Sequence, residues 1–253
     1  MRSPQTILIT GASSGLGEAL AIVYAAPGIN LGLHGRDAAR LEQVASACRK
    51  RGATVLSGTG DVAHAAALAA WIQTVERSHP VDLVIANAGV SGGTARSVEG
   101  QDQTRRIFSV NVDGVINTVM PLIVPMARRG RGQIAIMSSL ASFRGMPGAP
   151  AYCASKAAVR LWGEALRAEL APKGIGVSVI CPGFVVSRMT AANEFHMPML
   201  MPSERAAAII KRGLARNRGR IAFPWPMYAA ARLLAALPGF LIDPLLRRAP
   251  RKT

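Results

Sequence analysis

Short apolar runs alternate along this chain with longer stretches in which apolar residues recur at helical spacing. The spacing predicts helices over residues 15–26, 37–51, 63–78, 152–170 and 203–212. The apolar runs predict strands over residues 5–10, 30–35, 53–59, 81–86, 133–138, 176–181 and 220–223. Several of these runs are apolar almost throughout, which is typical of strands covered on both faces. The pattern therefore predicts an α/β fold of three αβα layers, with a doubly wound parallel sheet of about seven strands.

The composition supports a folded chain and limits its chemistry. Half of the 253 residues are apolar and only 17% are charged, which excludes disorder over most of the chain. The three cysteines and four histidines are scattered, without the spacing of a zinc site, so we expect no bound metal. The chain enters its first strand without a signal-peptide pattern, which indicates a cytoplasmic setting.

A glycine-rich turn follows the first predicted strand and leads directly into the first predicted helix. It reads TGASSGLG from Thr10, with Gly11, Gly15 and Gly17 as its glycines. Glycines let the backbone turn tightly and approach a pyrophosphate, while the helix N-terminus offers free N–H groups and a positive dipole end. The position between strand and helix predicts a site for the phosphates of a dinucleotide.

The end of the second predicted strand bears on which dinucleotide binds. An acidic residue at this place would bind the ribose 2′-hydroxyl of NAD. Here Gly35 stands at the strand end and Arg36 follows it, and a guanidinium can bind a 2′-phosphate at two points, which favours NADP. Asp37 leaves two alternatives open, because it can cap the next helix or compete for the ribose.

Tyr152 and Lys156 stand four positions apart in the strongest predicted helix of the second half. Residues at this spacing share a helix face and lie close enough to interact. A lysine ammonium beside a phenol stabilises the phenolate, so we expect the pKa of Tyr152 to be lowered towards neutrality. A tyrosine with such a pKa can donate or accept a proton during carbonyl–alcohol interconversion.

Together these motifs resemble the short-chain dehydrogenase/reductase family, in its form of about 250 residues. The family signatures occur in the family's order between residue 5 and about residue 190. They are TGASSGLG at 10–17, Asp61-Val62, Asn87-Ala88-Gly89, Asn111, Ser139, Tyr152 with Lys156, and Pro182-Gly183. Ser139 precedes Tyr152 by 13 residues, which is the separation in the family. The resemblance implies a Rossmann fold, a nicotinamide cofactor and an oxidoreductase.

The resemblance also implies a role for each signature position. Tyr152 would be the general acid/base, Lys156 would lower its pKa and hold the nicotinamide ribose, and Ser139 would hydrogen-bond the substrate oxygen. Asn111 would hold a water that links Lys156 to solvent. The other implied cofactor contacts are Gly11, Ser13, Ser14, Gly15, Leu16 and Gly17 at the pyrophosphate, Asp61, Val62, Asn87, Ala88 and Gly89 at the adenosine, and Pro182, Gly183, Val185 and Ser187 at the nicotinamide.

Three positions depart from the family pattern or compete within it. Ala86 stands where asparagine is usual and Ser187 where threonine is usual, and neither change removes a catalytic group. Ser138 adjoins Ser139, but the separation from Tyr152 favours Ser139.

After Ser187 the family places a variable substrate loop and lid, which here would span residues 188–219. Methionines at 189, 197, 199 and 201 indicate an adaptable apolar wall and hence an apolar substrate. The alternative is that these methionines pack the lid onto the domain. We expect residues 1–253 to form a single domain that ends in a basic, apolar and helical extension over residues 224–253.

The positive charge is concentrated in that extension and just before it. The chain has 30 Lys and Arg against 14 Asp and Glu, a net charge of +16, and residues 201–253 hold 11 against 2, a net of +9. Trp225 and Tyr228 beside a basic end suit an interfacial membrane anchor, and they equally suit a dimer contact or a cap over the active site. The apolar pieces are too short and broken for a membrane span.

The sequence as a whole predicts an NADP(H)-preferring oxidoreductase that acts on a small carbonyl or alcohol substrate, as a homodimer or homotetramer. An NAD-linked alcohol dehydrogenase of the same fold is the first alternative. A dinucleotide-sensing protein without turnover is the second, although a sensor need not keep an acid/base. We expect no nucleic-acid partner, because the chain has no recognition motif and only 5% aromatic residues.

Overall fold

Seven parallel strands form one sheet in the computed structural model, which describes residues 3–94, 98–191 and 195–247. The strand order is β3-β2-β1-β4-β5-β6-β7. The strands are β1 (Thr6–Thr10), β2 (Asn30–Gly35), β3 (Thr54–Thr59), β4 (Leu83–Ala86), β5 (Gly132–Met137), β6 (Ile175–Pro182) and β7 (Arg220–Phe223). The order reverses between β1 and β4, and such a switch point opens a crevice at the carboxyl ends of the strands. The predicted doubly wound Rossmann sheet is confirmed.

Helices cover both faces of the sheet. They are α1 (Gly15–Tyr24), α2 (Ala38–Lys50), α3 (Ala65–Ser78), α4 (Gln101–Phe108), α5 (Gly114–Arg129), α6 (Pro150–Leu170), α7 (Arg188–Ala191), α8 (Ser203–Ala215), α9 (Trp225–Ala236) and α10 (Gly239–Arg247). A π-helical turn, Ser109–Asp113, joins α4 to α5, and 3-10 turns lie at Leu140–Ser142 and Ala171–Lys173.

Two hydrophobic cores lie on opposite faces of the sheet. Side chains alternate along a strand, so Ile7 and Ile9 of β1 join the core under α1, α2 and α8, while Leu8 joins the core under α3, α5 and α6. Both faces of the central strands are therefore buried, which explains why these strands are apolar almost throughout.

The long helical stretch Gln101–Arg129 was absent from the sequence prediction. Its first turns are polar, and Pro121 and Pro125 lie inside α5, so the pattern is interrupted where a helix would be expected to stop. By length and composition alone this stretch could cross a membrane. Val119 and Leu122 are nevertheless fully buried against the sheet, so part of its apolar character belongs to the core.

The helical extension is confirmed for α9 and α10, whereas residues 248–253 lie outside the described residues. The side chain of Met227 in α9 lies against Gly183 at the end of β6, because a Cβ on Gly183 would come within 3.2 Å of the Met227 sulfur. The start of the extension thus adjoins the carboxyl edge of the sheet, where the predicted site residues lie.

Candidate active site

The glycine-rich turn between β1 and α1 is shaped for close approach of a ligand to its backbone. Gly11 and Gly15 have positive φ angles of 68° and 58°, and a Cβ on Gly17 would collide with the carbonyl oxygen of Gly11. Only glycine adopts these conformations without strain. Ser14 occupies the N-cap position of α1 without a side-chain capping bond. The first N–H groups of this helix are therefore available to donate hydrogen bonds to an anion.

The side chain of Asn87 fastens this turn to the end of β4. Its amide nitrogen Nδ2 donates to the carbonyl oxygens of Thr10, at 3.0 Å, and Gly11, at 3.2 Å. The backbone N–H groups of Asn87 and Ala88 in turn donate to the Thr10 hydroxyl. Thr10 is almost fully buried. The predicted cofactor residue Asn87 therefore shapes the turn. Thr10, its hydrogen-bond partner, is a supporting residue to which the sequence assigned no role of its own.

The contacts of Asp37 show whether it caps the next helix or is free to bind a ribose. Its carboxylate accepts a hydrogen bond from the Arg40 backbone at 3.0 Å, which caps α2, and it forms an ion pair with the Arg40 guanidinium at 2.8 Å. Arg36, by contrast, is exposed at the end of β2. Asp37 acts as a helix cap here, and the neighbouring cation is the group that is presented to solvent.

Asp61 lies close enough to both Arg36 and Arg106 to feel their charges. Its carboxylate accepts from the backbone of Ala63 at 3.0 Å and forms an ion pair with Arg106. Burial acts to raise the pKa of Asp61, but these hydrogen bonds and the two guanidinium charges hold it below its usual range. Arg106, on α4, is a site residue that the sequence did not reveal, because it comes from the helix that was not predicted.

Val62 is buried beside Asp61, and its neighbours explain its position. A Cβ on Gly114 would lie 2.5 Å from the Val62 side chain, so the glycine at the start of α5 makes room for it. Asn117 donates to the Val62 carbonyl at 2.9 Å. Residues of α5 therefore fix the backbone at Val62, which is a predicted adenine contact.

Ser139 and Tyr152 meet at the carboxyl edge of the sheet, from the end of β5 and the first turn of α6. A hydrogen bond between their side chains lowers the pKa of the phenol, but burial outweighs it, so the pKa of Tyr152 is raised. The Ser139 hydroxyl also accepts from the backbone of Ala141 at 3.1 Å, which fixes its orientation.

The expectation that Lys156 lowers the pKa of Tyr152 is wrong for this structure. The ammonium Nζ lies 6.0 Å from the centre of the tyrosine ring and donates instead to the Met137 carbonyl, at 2.9 Å. Lys156 is itself 3% exposed, and burial lowers its pKa to about 8, with only Cys181 acting in the opposite direction. Spacing alone could not show this burial, which dominates both pKa values.

Asn111 lies in the π-helical turn and is fully buried. Its side chain exchanges two hydrogen bonds with the Val90 backbone, at 2.8 and 2.9 Å, and donates to the Ser155 hydroxyl at 3.0 Å. A Cβ on Gly89 would lie 3.2 Å from both the Asn111 oxygen and the Lys156 nitrogen. These two side chains therefore approach each other across a glycine, and Ser155 is a further supporting residue that the sequence did not single out.

The contacts of Ser138 and Ser139 show which of the two serines lies beside Tyr152. The Ser138 hydroxyl is buried and donates to the backbone carbonyl of Lys156 at 2.8 Å, which joins β5 to α6. Ser139, not Ser138, contacts the phenol of Tyr152.

The predicted nicotinamide contacts lie along the end of β6 and the segment that follows it. Pro182 ends the strand, Gly183 lies under α9, and Val185 is buried where it bridges to Met201. The backbone and hydroxyl of Ser187 exchange hydrogen bonds with Thr190 at 2.9 and 3.2 Å. A Cβ on Gly15 would lie 3.1 Å from Ser187, so this segment closes over the glycine-rich turn.

The methionines of the lid do not share one environment. Met201 is buried in the core, whereas Met199 is 54% exposed. The alternative of packing the lid onto the domain therefore holds for Met201.

A cleft of about 720 Å³ lies beside the candidate site and not at it. It is bounded by residues 142–147 and by the face of α6 that carries Pro150, Cys153, Ala154 and Ala157. Neither Ser139 nor Tyr152 lines it. This cleft is therefore not assigned as the substrate pocket.

The fold and the site define an oxidoreductase with a Rossmann-type nucleotide-binding sheet. The family model described as short chain dehydrogenase matches residues 5–197. The chain is 38% identical over 247 residues to an uncharacterised oxidoreductase of Myxococcus xanthus, covering 97% of this chain and 98% of the relative. The protein belongs to the short-chain dehydrogenase/reductase family.

Two solved structures of short-chain dehydrogenases superimpose on nearly the whole chain. One, from Burkholderia phymatum in complex with NAD, has a TM-score of 0.84 and 26% identity, and covers 100% of this chain and 98% of its own. The other, from Sphingobium yanoikuyae in complex with NADPH, has a TM-score of 0.80 and 26% identity, and covers 98% and 97%. A nicotinamide cofactor is supported, and the two relatives differ in which one they hold.

Proposed function

We propose that this protein transfers hydride between NADP(H) and a carbonyl/alcohol substrate, with Tyr152 as the general acid/base. The observation that carries the proposal is the convergence of Ser139, Tyr152 and Lys156 from two elements at the carboxyl edge of the sheet. A hydroxyl, a phenol and a buried cation together can polarise a carbonyl, protonate the oxygen and stabilise the charge that develops there.

The residues of the glycine-rich turn fit the phosphates of a dinucleotide. The positive φ angles, the missing Cβ atoms and the uncapped N-terminus of α1 leave room and N–H donors for a pyrophosphate. Gly11, Ser13, Ser14, Gly15, Leu16 and Gly17 would hold it, with Asp61, Val62, Ala88 and Gly89 along the adenosine and Pro182, Gly183, Val185 and Ser187 along the nicotinamide. The bound nicotinamide would supply or accept the hydride.

The chain's own residues would move the proton. The raised pKa of Tyr152 keeps its phenol protonated at neutral pH, which suits proton donation to a carbonyl oxygen and so the direction of reduction. Ser139, fixed by the Ala141 backbone, would orient that oxygen. Lys156 would hold the nicotinamide ribose, and Asn111, already bonded through both ends of its amide, would position the backbone beside Lys156.

The preference for NADP(H) rests on Arg36 and Asp37. Asp37 is engaged with Arg40 and with the helix backbone, so it competes little for a ribose hydroxyl, while the exposed Arg36 can bind a 2′-phosphate. An NAD-linked dehydrogenase of the same fold remains the alternative in view of the NAD-bound relative. Comparing kcat/KM for NADPH and NADH separates the two.

The proposed reaction is tested by Tyr152→Phe, with Tyr24→Phe as the matched control. Tyr24 is a buried tyrosine at the end of α1 and has no proposed role. Loss of a general acid is expected to reduce kcat by about 100- to 10,000-fold, while NADPH binding and the control remain near wild type. Undiminished turnover in Tyr152→Phe would overturn the mechanism. Cofactor binding without turnover on any carbonyl class would favour the sensing alternative.

An apolar substrate is proposed from the residues next to Ser139. Leu140 and Met227 pack with the end of β6, within the small core that also includes Phe143 and Tyr228. A screen of ketones of increasing apolar size should give the highest kcat/KM with the more apolar members. A preference for polyols or charged ketones would contradict this assignment.

We also propose a homodimer that buries the outer faces of α5 and α6. Met120 and Val124 are 52% and 57% exposed one turn apart on α5, and Leu161 is 57% exposed on α6. Met120→Glu should convert the dimer to a monomer in sedimentation velocity, because it places a charge in the proposed apolar contact. Leu233→Glu on α9 is the control and should leave the dimer intact. An unchanged sedimentation coefficient for Met120→Glu would exclude this interface.

A further inference from the structure

The helix α9 has an apolar sequence and no buried residue. Its residues read WPMYAAARLLAA, in which Arg232 is the single charge. Trp225 is 73% exposed and Leu233 is 64% exposed, and on the following helix α10 Phe240 is 76% exposed. An exposed apolar surface of this kind usually marks an interaction site.

Arginines line a cleft beside this apolar helix, where α8, β7 and α9 meet. The cleft has a volume of about 390 Å³ and its lining includes Arg212, Arg216, Arg218, Arg220 and Trp225, with no acidic side chain. Arg220 forms an ion pair with Glu164 at 2.6 Å and donates to the Tyr228 hydroxyl. The other three arginines are exposed. Basic and apolar groups therefore adjoin each other at Trp225.

This surface is held rigidly on the domain. Arg220 ties β7 both to Tyr228 of α9 and to Glu164 of α6. At the other end of α9, the Arg144 guanidinium donates to the carbonyls of Leu234, at 3.4 Å, and Leu237, at 3.0 Å. The exposed Trp225 and Leu233 are therefore presented by a helix that is fastened to the domain at both ends.

We propose that the surface formed by the α8–β7 arginines, α9 and α10 docks onto an anionic lipid bilayer. Arginines suit lipid phosphates, and Trp, Leu and Phe side chains suit the boundary between headgroups and acyl chains. The proposal does not depend on the proposed reaction.

Two other occupants fit this surface less well. A second copy in a two-fold dimer would set the exposed Arg212, Arg216 and Arg218 against their own copies, and Glu164 beside the cleft already pairs with Arg220. A nucleic acid would neutralise the arginines but leave the exposed Leu233 and Phe240 uncovered. A bilayer satisfies both the charged and the apolar parts of the surface.

The test is sedimentation of the full-length protein with vesicles, comparing pure phosphatidylcholine with an equimolar mixture of phosphatidylcholine and phosphatidylglycerol. We expect binding to the anionic vesicles only, and weaker binding as salt rises. The triple variant R212Q/R216Q/R218Q should bind about fivefold more weakly per arginine, on the order of a hundredfold in all. Its NADPH turnover should be unchanged.

The matched control is R77Q/R128Q/R131Q, which removes the same charge from exposed positions on α3, on α5 and just beyond α5. It should retain most of the vesicle binding. Equal weakening in the two triple variants would show that net charge alone attracts the protein, and absence of binding by wild type at low salt would overturn the proposal. Self-association that is lost in R212Q/R216Q/R218Q without lipid would assign the surface to a second copy instead.

Insertion of the apolar residues is tested separately through Trp225. Lipids that carry a bromine quencher in the acyl chains should reduce the fluorescence of wild type, and Trp225→Phe should lose this quenching while Trp162→Phe keeps it. Quenching that is equal in wild type and Trp225→Phe would contradict the proposed orientation.

Discussion

Replacing Lys156 by methionine is expected to stabilise the fold at neutral pH while abolishing activity. The ammonium is 3% exposed, and burial lowers its pKa from an ordinary 10.5 to about 8. That difference corresponds to a cost of about 3 kcal/mol at pH 7, where the folded and unfolded chains both carry the proton. The lost hydrogen bond to the Met137 carbonyl offsets about 1 kcal/mol, so Lys156→Met should be about 2 kcal/mol more stable than wild type.

The sign of the effect is testable through its pH dependence. Between pH values of about 8 and 10.5 the unfolded chain holds the Lys156 proton and the folded chain has released it. The stability of wild type therefore rises with pH in this window relative to Lys156→Met. Between pH 7 and about pH 9.5 the advantage of the variant should shrink by about 2 kcal/mol, and this double difference does not depend on the lost hydrogen bond.

Urea unfolding of wild type and Lys156→Met, without added nucleotide, measures both quantities. Lys50→Met is the control, since Lys50 is exposed at the end of α2 and should give the same small difference at both pH values. A stability difference for Lys156→Met that does not change between the two pH values would refute the assigned burial penalty. If Lys156→Met is less stable than wild type at pH 7, the predicted direction of the stability change is wrong.

Three further substitutions test the cofactor site. Gly17→Ala forces a Cβ against a backbone carbonyl of the glycine-rich turn and should weaken NADPH binding about ten- to hundredfold in fluorescence titration, whereas Gly100→Ala, with open space around it, should have little effect. Asn87→Ala removes two hydrogen bonds to the same turn and should lower the free energy of unfolding by about 1–3 kcal/mol in urea. Arg36→Ala should raise KM for NADPH about tenfold or more and leave KM for NADH nearly unchanged, and equal losses with both cofactors would remove the basis for NADP preference.

The sequence predicted best those features that depend on neighbours along the chain. The sheet strands and the glycine-rich turn are local patterns, and β2 begins and ends where the apolar run does. The cap formed by Asp37 was one of two stated alternatives, because a helix cap is also a local feature. The carboxyl edge of a parallel sheet brings the strand ends together, so the sequence could predict that the candidate site residues lie along one edge of the sheet.

Features that depend on contacts between residues distant along the chain could not be predicted from the sequence. Asn87 reaches 77 residues back to Thr10, and Arg106 reaches 45 residues back to Asp61. The pKa of Tyr152 was predicted with the wrong direction, because burial is a property of the whole fold and outweighs the neighbour on the same helix. Proline interruptions hid α5, whose helical geometry is held by packing against α3 and the sheet.

The burial that makes Lys156 costly in the resting protein also suits it to the proposed reaction. Among the residues that the structure describes, no carboxylate shifts the pKa of Lys156, and its ammonium is bonded to a backbone carbonyl instead of an anion. When negative charge develops on the phenol of Tyr152 or on a substrate oxygen beside Ser139, that charge becomes the missing partner. An interaction that strengthens only at this stage lowers the barrier without tightening substrate binding. The burial of Lys156 that should make wild type less stable than Lys156→Met is therefore also expected to lower the barrier of the reaction in wild type.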